Sequence, residues 1–255
     1  MNKLLTTLFA LAVASVTVSS YAQASAPATP APAAAPVAPA APAAAVAPAK
    51  AAPATPASAK SLEAKIAMCV GCHAIKGYHA TFPEVYRVPM IAGQGAKYIA
   101  AALNAYKTGD RKHPTMRGIA VSLSDQDIAD ISAYYEREGM EDAKPLAKTA
   151  NRDPSPQVAA LMQKAACVSC HGANFASPID PSYPKIAGQH PDYLFVALKA
   201  YKLEGNATTG RNNGIMAGIA KQFTNAELKA MASYIGSLDG DLETKPEARF
   251  RTGAR

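Results

Sequence analysis

The chain has 255 residues, a formal net charge of +7 at pH 7 and four cysteines. Its length allows one or two folded domains. Basic residues form no long lysine- or arginine-rich face apart from Arg249, Arg251 and Arg255 near the C-terminus, which argues against a strongly basic nucleic-acid binder. Residues 246–255 are interpreted as a basic, solvated tail, with contact to an acidic partner or a membrane surface as the alternative.

Residues 1–24 have the pattern of a secretory signal peptide. Lys3 supplies the positive charge, an almost unbroken apolar run follows from Leu4 to Val18, and Ala22-Gln23-Ala24 fits the small-x-small cleavage site. The run is shorter than the roughly 20 apolar residues that a membrane-spanning helix needs. We therefore expect cleavage after Ala24 and export from the cytoplasm, with retention as an uncleaved membrane anchor as the alternative.

Residues 25–58 are nearly all alanine and proline, with a little serine, threonine and valine. Such a segment cannot bury a hydrophobic core and favours extended polyproline-like conformations, so we predict a disordered linker. Fully extended, it would span on the order of 100 Å. It is either a tolerated low-complexity segment or a tether that holds the folded part away from a membrane.

One five-residue pattern, C-x-x-C-H, occurs twice, as Cys69-Val70-Gly71-Cys72-His73 and as Cys167-Val168-Ser169-Cys170-His171. It is the attachment sequence of a c-type haem, in which both thiols form thioethers with the porphyrin and the histidine ligates the iron. Cysteines three apart lie on one face of a helical turn. A zinc site would need four closing ligands, and a thioredoxin-like pair would need a βαβ setting that this chain lacks. Because the two copies use all four cysteines, the sequence predicts two covalently attached haem c groups.

The chain beyond Ser58 is an internal duplication. The two haem motifs lie 98 residues apart. At an offset of 95 residues, Pro89-Met90-Ile91-Ala92-Gly93-Gln94 matches Pro184-Lys185-Ile186-Ala187-Gly188-Gln189. From Arg111 and Arg211 onward the offset is a constant 100 residues. Length changes confined to loops are typical of a duplicated domain, so we predict two tandem domains, residues 59–150 and residues 151–245.

Each repeat has the pattern of a helical domain. A first helix over residues 61–72, and its partner over residues 156–170, would carry the haem motif at its C-terminal end. Residues 97–107 and 193–202 show the three- and four-residue apolar spacing of a core-facing helix. No alternating run is long enough for a sheet, so the predicted fold class is all-α. Because about ninety residues make a small core, each domain is expected to wrap around its haem.

The last helix of each repeat begins at an N-terminal capping pattern, Ser124-x-x-Asp127 in the first and Thr224-x-x-Glu227 in the second. Capping is expected to be weaker in the first repeat because aspartate is shorter than glutamate. The predicted buried stripes of these two helices are Ile128, Ile131 and Tyr134, and Leu228, Met231 and Tyr234.

The iron of each haem needs a sixth ligand or an open site. The histidines outside the motifs, His79, His113 and His190, have no histidine at the matching position of the other repeat. They are interpreted as solvent-exposed loop residues. Met68 and Met90 match an alanine and a lysine in the second repeat, which indicates packing residues.

Met116 and Met216 match each other, 43 and 45 residues after their motif histidines, in a predicted loop just before the last helix. A methionine in an apolar stretch is ordinarily core filler. The shared position instead favours axial ligation by Met116 opposite His73 and by Met216 opposite His171. A thioether favours Fe(II) and raises the reduction potential, and a filled sixth position suits electron transfer rather than bond chemistry.

Three further matched pairs are candidates for supporting roles: Pro89 and Pro184, Gly93 and Gly188, Arg111 and Arg211. A proline carbonyl in an extended segment can accept the Nδ1 proton of the ligating histidine and fix its tautomer. The glycines would let the backbone pass close to the ring. The arginines would hydrogen-bond or neutralise haem propionates. The alternatives are an ordinary loop proline and a solvated loop arginine.

Two C-x-x-C-H motifs, two P-x-I-A-G-Q segments and two Met-x-x-Ile-Ala segments before a helix that carries tyrosine together resemble the cytochrome c4 family of two-haem cytochromes c. The likeness covers about residues 60–240. It implies two class I cytochrome c folds related by approximate twofold symmetry, in a periplasmic carrier between a quinol-oxidising cytochrome bc complex and a terminal haem-copper oxidase. The residues it assigns to haem one are Cys69, Cys72, His73 and Met116, and those for haem two are Cys167, Cys170, His171 and Met216.

Two other function classes stay open. One is a two-haem redox enzyme, such as a peroxidase or a thiosulfate-oxidising protein, in which one iron opens to bind substrate. The other is an electron-accepting subunit fixed in a larger respiratory complex. The matched methionines, and the lack of an additional acid-base constellation in either loop, favour a non-catalytic carrier.

Overall fold

The computed structural model describes residues 61–141, 143–203 and 205–247. The predicted signal peptide (1–24) and linker (25–58) lie outside the described residues, as do residues 248–255 of the predicted tail. The regular secondary structure of the described chain consists of helices and four two-residue strands, which agrees with the predicted all-α class.

The described part of the first repeat forms four helices, α1 (Leu62–His73), α2 (Ala96–Thr108), α3 (Pro114–Ala120) and α4 (Asp125–Glu138). Helix α1 begins where the Ser61 hydroxyl accepts the N–H of Ala64. Helix α2 ends at Gly109, whose φ of 91° is the left-handed conformation that glycine adopts without steric cost. Both bounds lie within a few residues of those that the sequence predicted.

The described part of the second repeat forms five helices, α5 (Pro156–Ala165), α6 (Val168–His171), α7 (Pro191–Ala200), α8 (Gly214–Ala220) and α9 (Asn225–Gly236). The sequence predicted a single helix over residues 156–170, and that prediction was wrong. The chain turns at Ala166, where a left-handed φ of 50° interrupts the helical hydrogen bonds. The second haem motif therefore lies on its own short helix, α6, with Cys167 as the N-cap.

Two short antiparallel strand pairs were not predicted. Strand β1 (His79–Ala80) pairs with β2 (Tyr86–Arg87) inside the first repeat. Strand β3 (Arg111–Lys112) of the first repeat pairs with β4 (Gly210–Arg211) of the second. Strands of two residues are too short to give an alternating pattern. The second pair places Arg111 opposite Arg211 and joins the two repeats.

Each repeat has its own hydrophobic core. In the first repeat, α2 packs on α4, and buried side chains include Leu103 and Ile131. In the second, α7 packs on α9, and buried side chains include Leu194 and Leu228. Each fully buried aliphatic side chain contributes about 1.5–3 kcal/mol relative to exposure. These cores hold the helices that carry the predicted haem ligands.

Both predicted capping boxes are present at the N-termini of α4 and α9. The Ser124 N–H donates to the Asp127 carboxylate at 3.1 Å, and the Thr224 N–H donates to the Glu227 carboxylate at 2.7 Å. The return bond has the opposite order, with 3.1 Å from the Asp127 nitrogen to Ser124 Oγ and 3.3 Å from the Glu227 nitrogen to Thr224 Oγ1. The weaker cap of the first repeat therefore stays a prediction.

The predicted stripes of these helices were right for Ile128, Ile131, Leu228 and Met231, which are buried, and wrong for the tyrosines. Tyr134 and Tyr234 are half-buried, whereas Tyr135 and Ile235, one position later, are buried. A residue seven positions after the first buried one returns to the same helix face, and a residue six positions after it does not.

The segments that follow the two last helices pack against the opposite repeat. Leu146 and Ala150 contact the second core, and the Ala150 N–H donates to the Ala173 carbonyl at 3.1 Å. In the reverse direction, the Glu243 N–H donates to the Ala92 carbonyl at 3.1 Å. The domain boundaries at residues 150 and 245 therefore fall inside segments that connect the two repeats, and they stay a prediction.

Candidate haem sites

The two haem motifs border one cavity. The first motif occupies the last turn of α1, and the second lies on α6 with Cys167 immediately before it. All four cysteines lie on the cavity wall, and none of them forms a disulfide. Burial raises the pKa of Cys69 and of Cys167 to about 11. These sulfur atoms therefore stay protonated until they form thioethers.

The motif histidines are fixed by the carbonyl groups that the sequence singled out. His73 Nδ1 lies 2.8 Å from the Pro89 carbonyl oxygen, and His171 Nδ1 lies 2.9 Å from that of Pro184. Because a carbonyl only accepts hydrogen bonds, Nδ1 carries the proton and Nε2 is the nitrogen available to iron. Burial lowers the pKa of both imidazoles, which favours the neutral form that binds metals.

Met116 and Met216 border the same cavity, on the short helices α3 and α8. The sequence placed them in loops, because a helix of seven residues is too short to show a period. Each helix begins at an N-cap that accepts the N–H of the methionine itself. His113 Nδ1 lies 3.4 Å from the Met116 nitrogen, and Asn213 Oδ1 lies 3.0 Å from the Met216 nitrogen. The caps fix the position of each methionine in the first turn of its helix. Iron ligation by the two methionines stays a prediction.

The histidines outside the motifs were predicted to be exposed, and only His79 is exposed. His113 is half-buried as the N-cap of α3, and His190 is half-buried directly before α7. Burial lowers the pKa of both imidazoles. The matched asparagine at position 213 was the signal that could have identified His113 as a cap, because both side chains accept an N–H.

The cavity has a volume of about 530 Å³ and is lined mainly by apolar side chains from both repeats. This volume lies within the range of about 300–1,000 Å³ that is typical of small-molecule and cofactor sites. It extends from the first motif across the contact between the repeats to the second motif. The two predicted haem sites are therefore neighbours.

Two arginines lie on the cavity wall between the motifs. Arg111 donates hydrogen bonds to the hydroxyl groups of Tyr98 (3.2 Å) and Tyr193 (2.6 Å), and Arg211 donates to Tyr193 at 3.1 Å. Burial alone would raise the pKa of Tyr193, but the two guanidinium groups lower it to about 8. No carboxylate of the described residues forms an ion pair with either arginine.

The residues present fit a haem in each repeat. Each site offers two thiols, a neutral imidazole with a fixed tautomer, a thioether and an apolar wall. Arg111 Nε is buried without a hydrogen-bond partner in the described part of the chain. Arg111 Nε is suited to a carboxylate such as a haem propionate. A haem bound there would supply one-electron redox chemistry.

The structure gives Gly93 and Gly188 a backbone contact that the sequence did not predict. Both have left-handed backbones, with φ of 84° and 72°. A Cβ at Gly93 would lie 2.2 Å from the Asp241 carbonyl oxygen, and a Cβ at Gly188 would lie 3.1 Å from that of Leu238. These glycines admit the segment that follows α9. The close approach of their backbone to the haem ring stays a prediction.

Gln94 and Gln189, which directly follow these glycines, were missed by the sequence analysis. Each side chain is 4% exposed and hydrogen-bonds to the backbone of the other repeat. The available signal was the duplication itself, because an uncharged polar residue ends both copies of an otherwise mostly apolar segment.

Comparison with known proteins decides the family. The profile of the cytochrome c family, described as Cytochrome c, matches residues 56–136 and 157–239. The chain is 32% identical over 180 residues to cytochrome c4 of Pseudomonas aeruginosa, an alignment that covers 69% of this chain and 86% of that protein. The chain belongs to the cytochrome c4 family.

The chain is also similar to a solved cytochrome c4 structure and to a protein with a different name. The solved structure is the crystal structure of reduced recombinant cytochrome c4 from Pseudomonas stutzeri. Its sequence is 29% identical to this chain, the TM-score is 0.49, and the match covers 70% of this chain and 97% of that one. A thiosulfate dehydrogenase electron acceptor of Thiomonas intermedia is 27% identical over 184 residues, covering 67% of this chain and 78% of that protein.

Membership of the cytochrome c4 family confirms the predicted pair of tandem cytochrome c domains, the all-α fold and the two covalently attached haem c groups. The protein is a two-haem electron-transfer protein of the cytochrome c4 type. In the part of the chain that the structure describes, no helix is long and apolar enough to cross a membrane.

Proposed function

We propose that this member of the cytochrome c4 family is a periplasmic carrier that takes electrons from a quinol-oxidising cytochrome bc complex and delivers them to a terminal haem-copper oxidase. The observation that carries the proposal is that both haem motifs and both matched methionines border a single cavity across the contact between the repeats. Two neighbouring one-electron sites suit a protein that accepts and passes on single electrons.

The proposed axial ligands are His73 with Met116 for the first iron, and His171 with Met216 for the second. Their support is the matched position in the repeats, the shared cavity and the carbonyl contacts of the two histidines. With both axial positions filled by side chains, neither iron is open to a substrate, which favours a carrier over an enzyme.

The location is proposed from the sequence of residues 1–58. The signal pattern supports export, and the alanine- and proline-rich linker supports either a free carrier or one tethered to the membrane through an uncleaved N-terminus. Detergent-free extraction followed by N-terminal sequencing separates the two forms. A soluble protein that begins after Ala24 supports the free carrier, and a detergent-dependent protein that retains Met1 supports the tether.

A second candidate is an electron acceptor for a thiosulfate-oxidising dehydrogenase. The similarity to the thiosulfate dehydrogenase electron acceptor of Thiomonas intermedia favours it. This candidate keeps the same haem sites and the same chemistry, and it differs in the protein that donates the electrons.

Stopped-flow reduction of the oxidised two-haem protein tests both candidates. For the first, the protein is mixed with membranes that contain a quinol-oxidising bc complex, quinol and, as a control, an inhibitor of that complex. For the second, it is mixed with thiosulfate and a purified thiosulfate dehydrogenase. Rapid inhibitor-sensitive reduction by quinol, followed by reoxidation with a haem-copper oxidase, supports the first. Reduction only by thiosulfate and the dehydrogenase contradicts it and supports the second.

The optical spectrum of the oxidised protein tests the carrier against a two-haem enzyme. Methionine sulfur on ferric haem gives a weak far-red band, expected here from both haems. A high-spin haem in the resting protein would contradict the proposed ligands and favour an enzyme with one open iron.

A further inference from the structure

We propose that the glutamine at the end of each P-x-I-A-G-Q segment acts as a positioning residue for the haem of the opposite repeat. Through the backbone, Gln189 strengthens the hydrogen bond that holds His73, and Gln94 does the same for His171. Each glutamine would thereby set the reduction potential of a haem in the domain to which it does not belong. The inference rests on the proposed ligation of iron by these two histidines.

The contacts between the repeats are reciprocal. The Met90 N–H donates to Gln189 Oε1 at 3.0 Å, and Gln189 Nε2 donates to the Met90 carbonyl at 2.9 Å. In the equivalent contact on the other side, the Lys185 N–H donates to Gln94 Oε1 at 3.0 Å, and Gln94 Nε2 donates to the Lys185 carbonyl at 2.9 Å. Each side-chain amide therefore satisfies a donor and an acceptor of the other domain.

The peptide group that Gln189 contacts is the one that holds the proximal histidine. The carbonyl of Pro89, which accepts the His73 Nδ1 proton, and the N–H of Met90, which donates to Gln189, belong to the same amide. Donation by the N–H polarises the amide and makes its oxygen a stronger acceptor, because hydrogen bonds in a chain reinforce one another. The same relation joins Gln94, Lys185, Pro184 and His171.

The glutamine side chains are held in place from their own domain. Gln94 Oε1 also accepts the N–H of Gly95, and Gln189 Oε1 accepts that of His190, both at 3.0 Å. Each glutamine is 4% exposed, so bulk water has little access to replace the lost contact if the side chain is removed. A fixed, dry hydrogen bond is the arrangement in which an amide is most strongly polarised.

The sign of the effect follows from the chemistry of the ligand. A stronger Nδ1–H···O bond gives the imidazole more electron density, which makes it a better donor and stabilises Fe(III). Removing the glutamine weakens that bond, so the reduction potential of the opposite haem is expected to rise. Docking of the two domains would thus tune both haems.

The test uses Gln189→Leu and Gln94→Leu in the intact two-haem protein, because leucine fills a similar volume without hydrogen bonds. Redox titration with optical spectra resolves two one-electron steps, and the step that Met116→Ala moves is assigned to the first haem. Gln189→Leu is expected to raise the first-haem potential alone, and Gln94→Leu the second alone. The expected rise is up to tenfold in the one-electron equilibrium constant, which corresponds to 59 mV.

A second readout follows the hydrogen bond itself. In reduced protein labelled with ¹⁵N-histidine, exchange of the His73 Nδ1 proton with solvent should accelerate in Gln189→Leu and not in Gln94→Leu. If the leucine variants do not fold, Gln189→Asn keeps the amide but is one methylene shorter, and the same crossed pattern is expected.

The matched control is Glu84→Gln, which removes a different contact between the repeats, the ion pair of Glu84 with Lys199. It should leave both potentials unchanged. A shift in the haem of the same domain, equal shifts of both haems, a fall in potential, no shift, or an equal effect of Glu84→Gln would overturn the proposal. Absence of the methionine-sulfur band in the unmutated protein would instead overturn the ligand assignment. Failure of the glutamine proposal and failure of the ligand assignment are therefore distinguishable.

Discussion

At the scale of single residues, Met90 and Met116 show how position decides the role of a methionine. Both border the cavity. Met90 directly follows Pro89, whose carbonyl contacts His73 Nδ1, so its backbone lies beside the proximal histidine. Met116 lies on α3, on a different segment that is matched by Met216 on α8. Met116 stays the proposed ligand of the first iron, and Met90 stays a predicted packing residue.

Replacing Met116 by alanine should lower the potential of the first haem and open its iron to carbon monoxide. The loss of a thioether ligand removes the preference for Fe(II), and we expect a decrease larger than about 59 mV, a tenfold change in the one-electron constant. Redox titration and the optical spectrum with carbon monoxide measure both effects.

Met90→Leu is the matched control for that experiment. Leucine conserves the volume, and both hydrogen bonds of Met90 use backbone atoms, so potential and spectrum should be unchanged. Loss of the methionine-sulfur band in Met90→Leu, or unchanged carbon monoxide reactivity in Met116→Ala, would contradict the ligand assignment.

At the scale of the elements, the turns before α2 and α7 depend on Gly93 and Gly188. Both glycines have positive φ and precede the glutamines that bind the opposite repeat. The Gly93 N–H donates to the Tyr135 carbonyl at 2.9 Å, which ties this turn to α4. The turns therefore fix both the position of the last helix and the direction of each glutamine.

Gly93→Ala should destabilise the protein more than Gly188→Ala. A left-handed backbone costs an alanine roughly 1–2 kcal/mol at either position. At Gly93 the new Cβ would also lie 2.2 Å from a backbone oxygen, against 3.1 Å at Gly188, so the backbone must move. That displacement adds about 1–3 kcal/mol. Urea unfolding of the two variants, followed by circular dichroism, gives the difference in free energy of unfolding.

Gly71→Ala is the control for these glycine variants. Gly71 lies inside α1, and a Cβ there would meet no atom within 4 Å other than its chain neighbours and the nearby helix backbone. Alanine in a helix interior is more favourable than glycine by roughly 0.5–1 kcal/mol, so this variant should be neutral or slightly more stable. Equal losses for Gly93→Ala and Gly71→Ala would show that close backbone packing at Gly93 is not the cause.

At the scale of the whole molecule, the two repeats are joined by more than the paired strands. Asp192 of the second repeat accepts hydrogen bonds from both the backbone N–H and Nε of Arg87 in the first, each at 3.0 Å. Burial alone would raise the pKa of Asp192, but the hydrogen bonds from Arg87 outweigh it and hold the pKa below its ordinary value. The ionised carboxylate therefore stabilises the contact between the repeats.

Acid should weaken this contact in a predictable direction. Because the pKa of Asp192 is lower in the folded protein, its stabilisation is complete above the unfolded pKa and is lost as the pH falls through the folded pKa. Asp192→Asn should therefore reduce the decrease in free energy of unfolding between about pH 7 and about pH 3. Urea titrations at a series of pH values measure that slope.

The control for the acid experiment is Asp125→Asn. Asp125 forms an exposed ion pair with Lys107, with its side chain 98% exposed, and exposed pairs contribute little to stability. Its slope should match that of the unmutated protein. A slope that Asp192→Asn leaves unchanged, or that both variants reduce equally, would contradict the role of the Arg87 contact.

The number of haems, the duplication and the helical class could all be predicted from the amino-acid sequence. These features are local, since two cysteines and a histidine within one helical turn carry the attachment chemistry wherever the turn lies. The position of Pro89 and Pro184 also followed from the repeats. The caps at Ser124 and Thr224 were predictable because a capping box is complete within four residues.

The side chains that meet across the two repeats could not be predicted from the sequence and are known from the folded structure. The reciprocal bonds of Gln94 and Gln189, the pairing of Arg111 with Arg211, and the contact of Gly93 with the segment after α9 join residues that are distant in sequence. Their spacing contains no periodic signal, because such contacts depend on how two separately folded helical cores dock. Covalent attachment of haem can be predicted from a short motif, whereas the surroundings of each haem depend on the other domain.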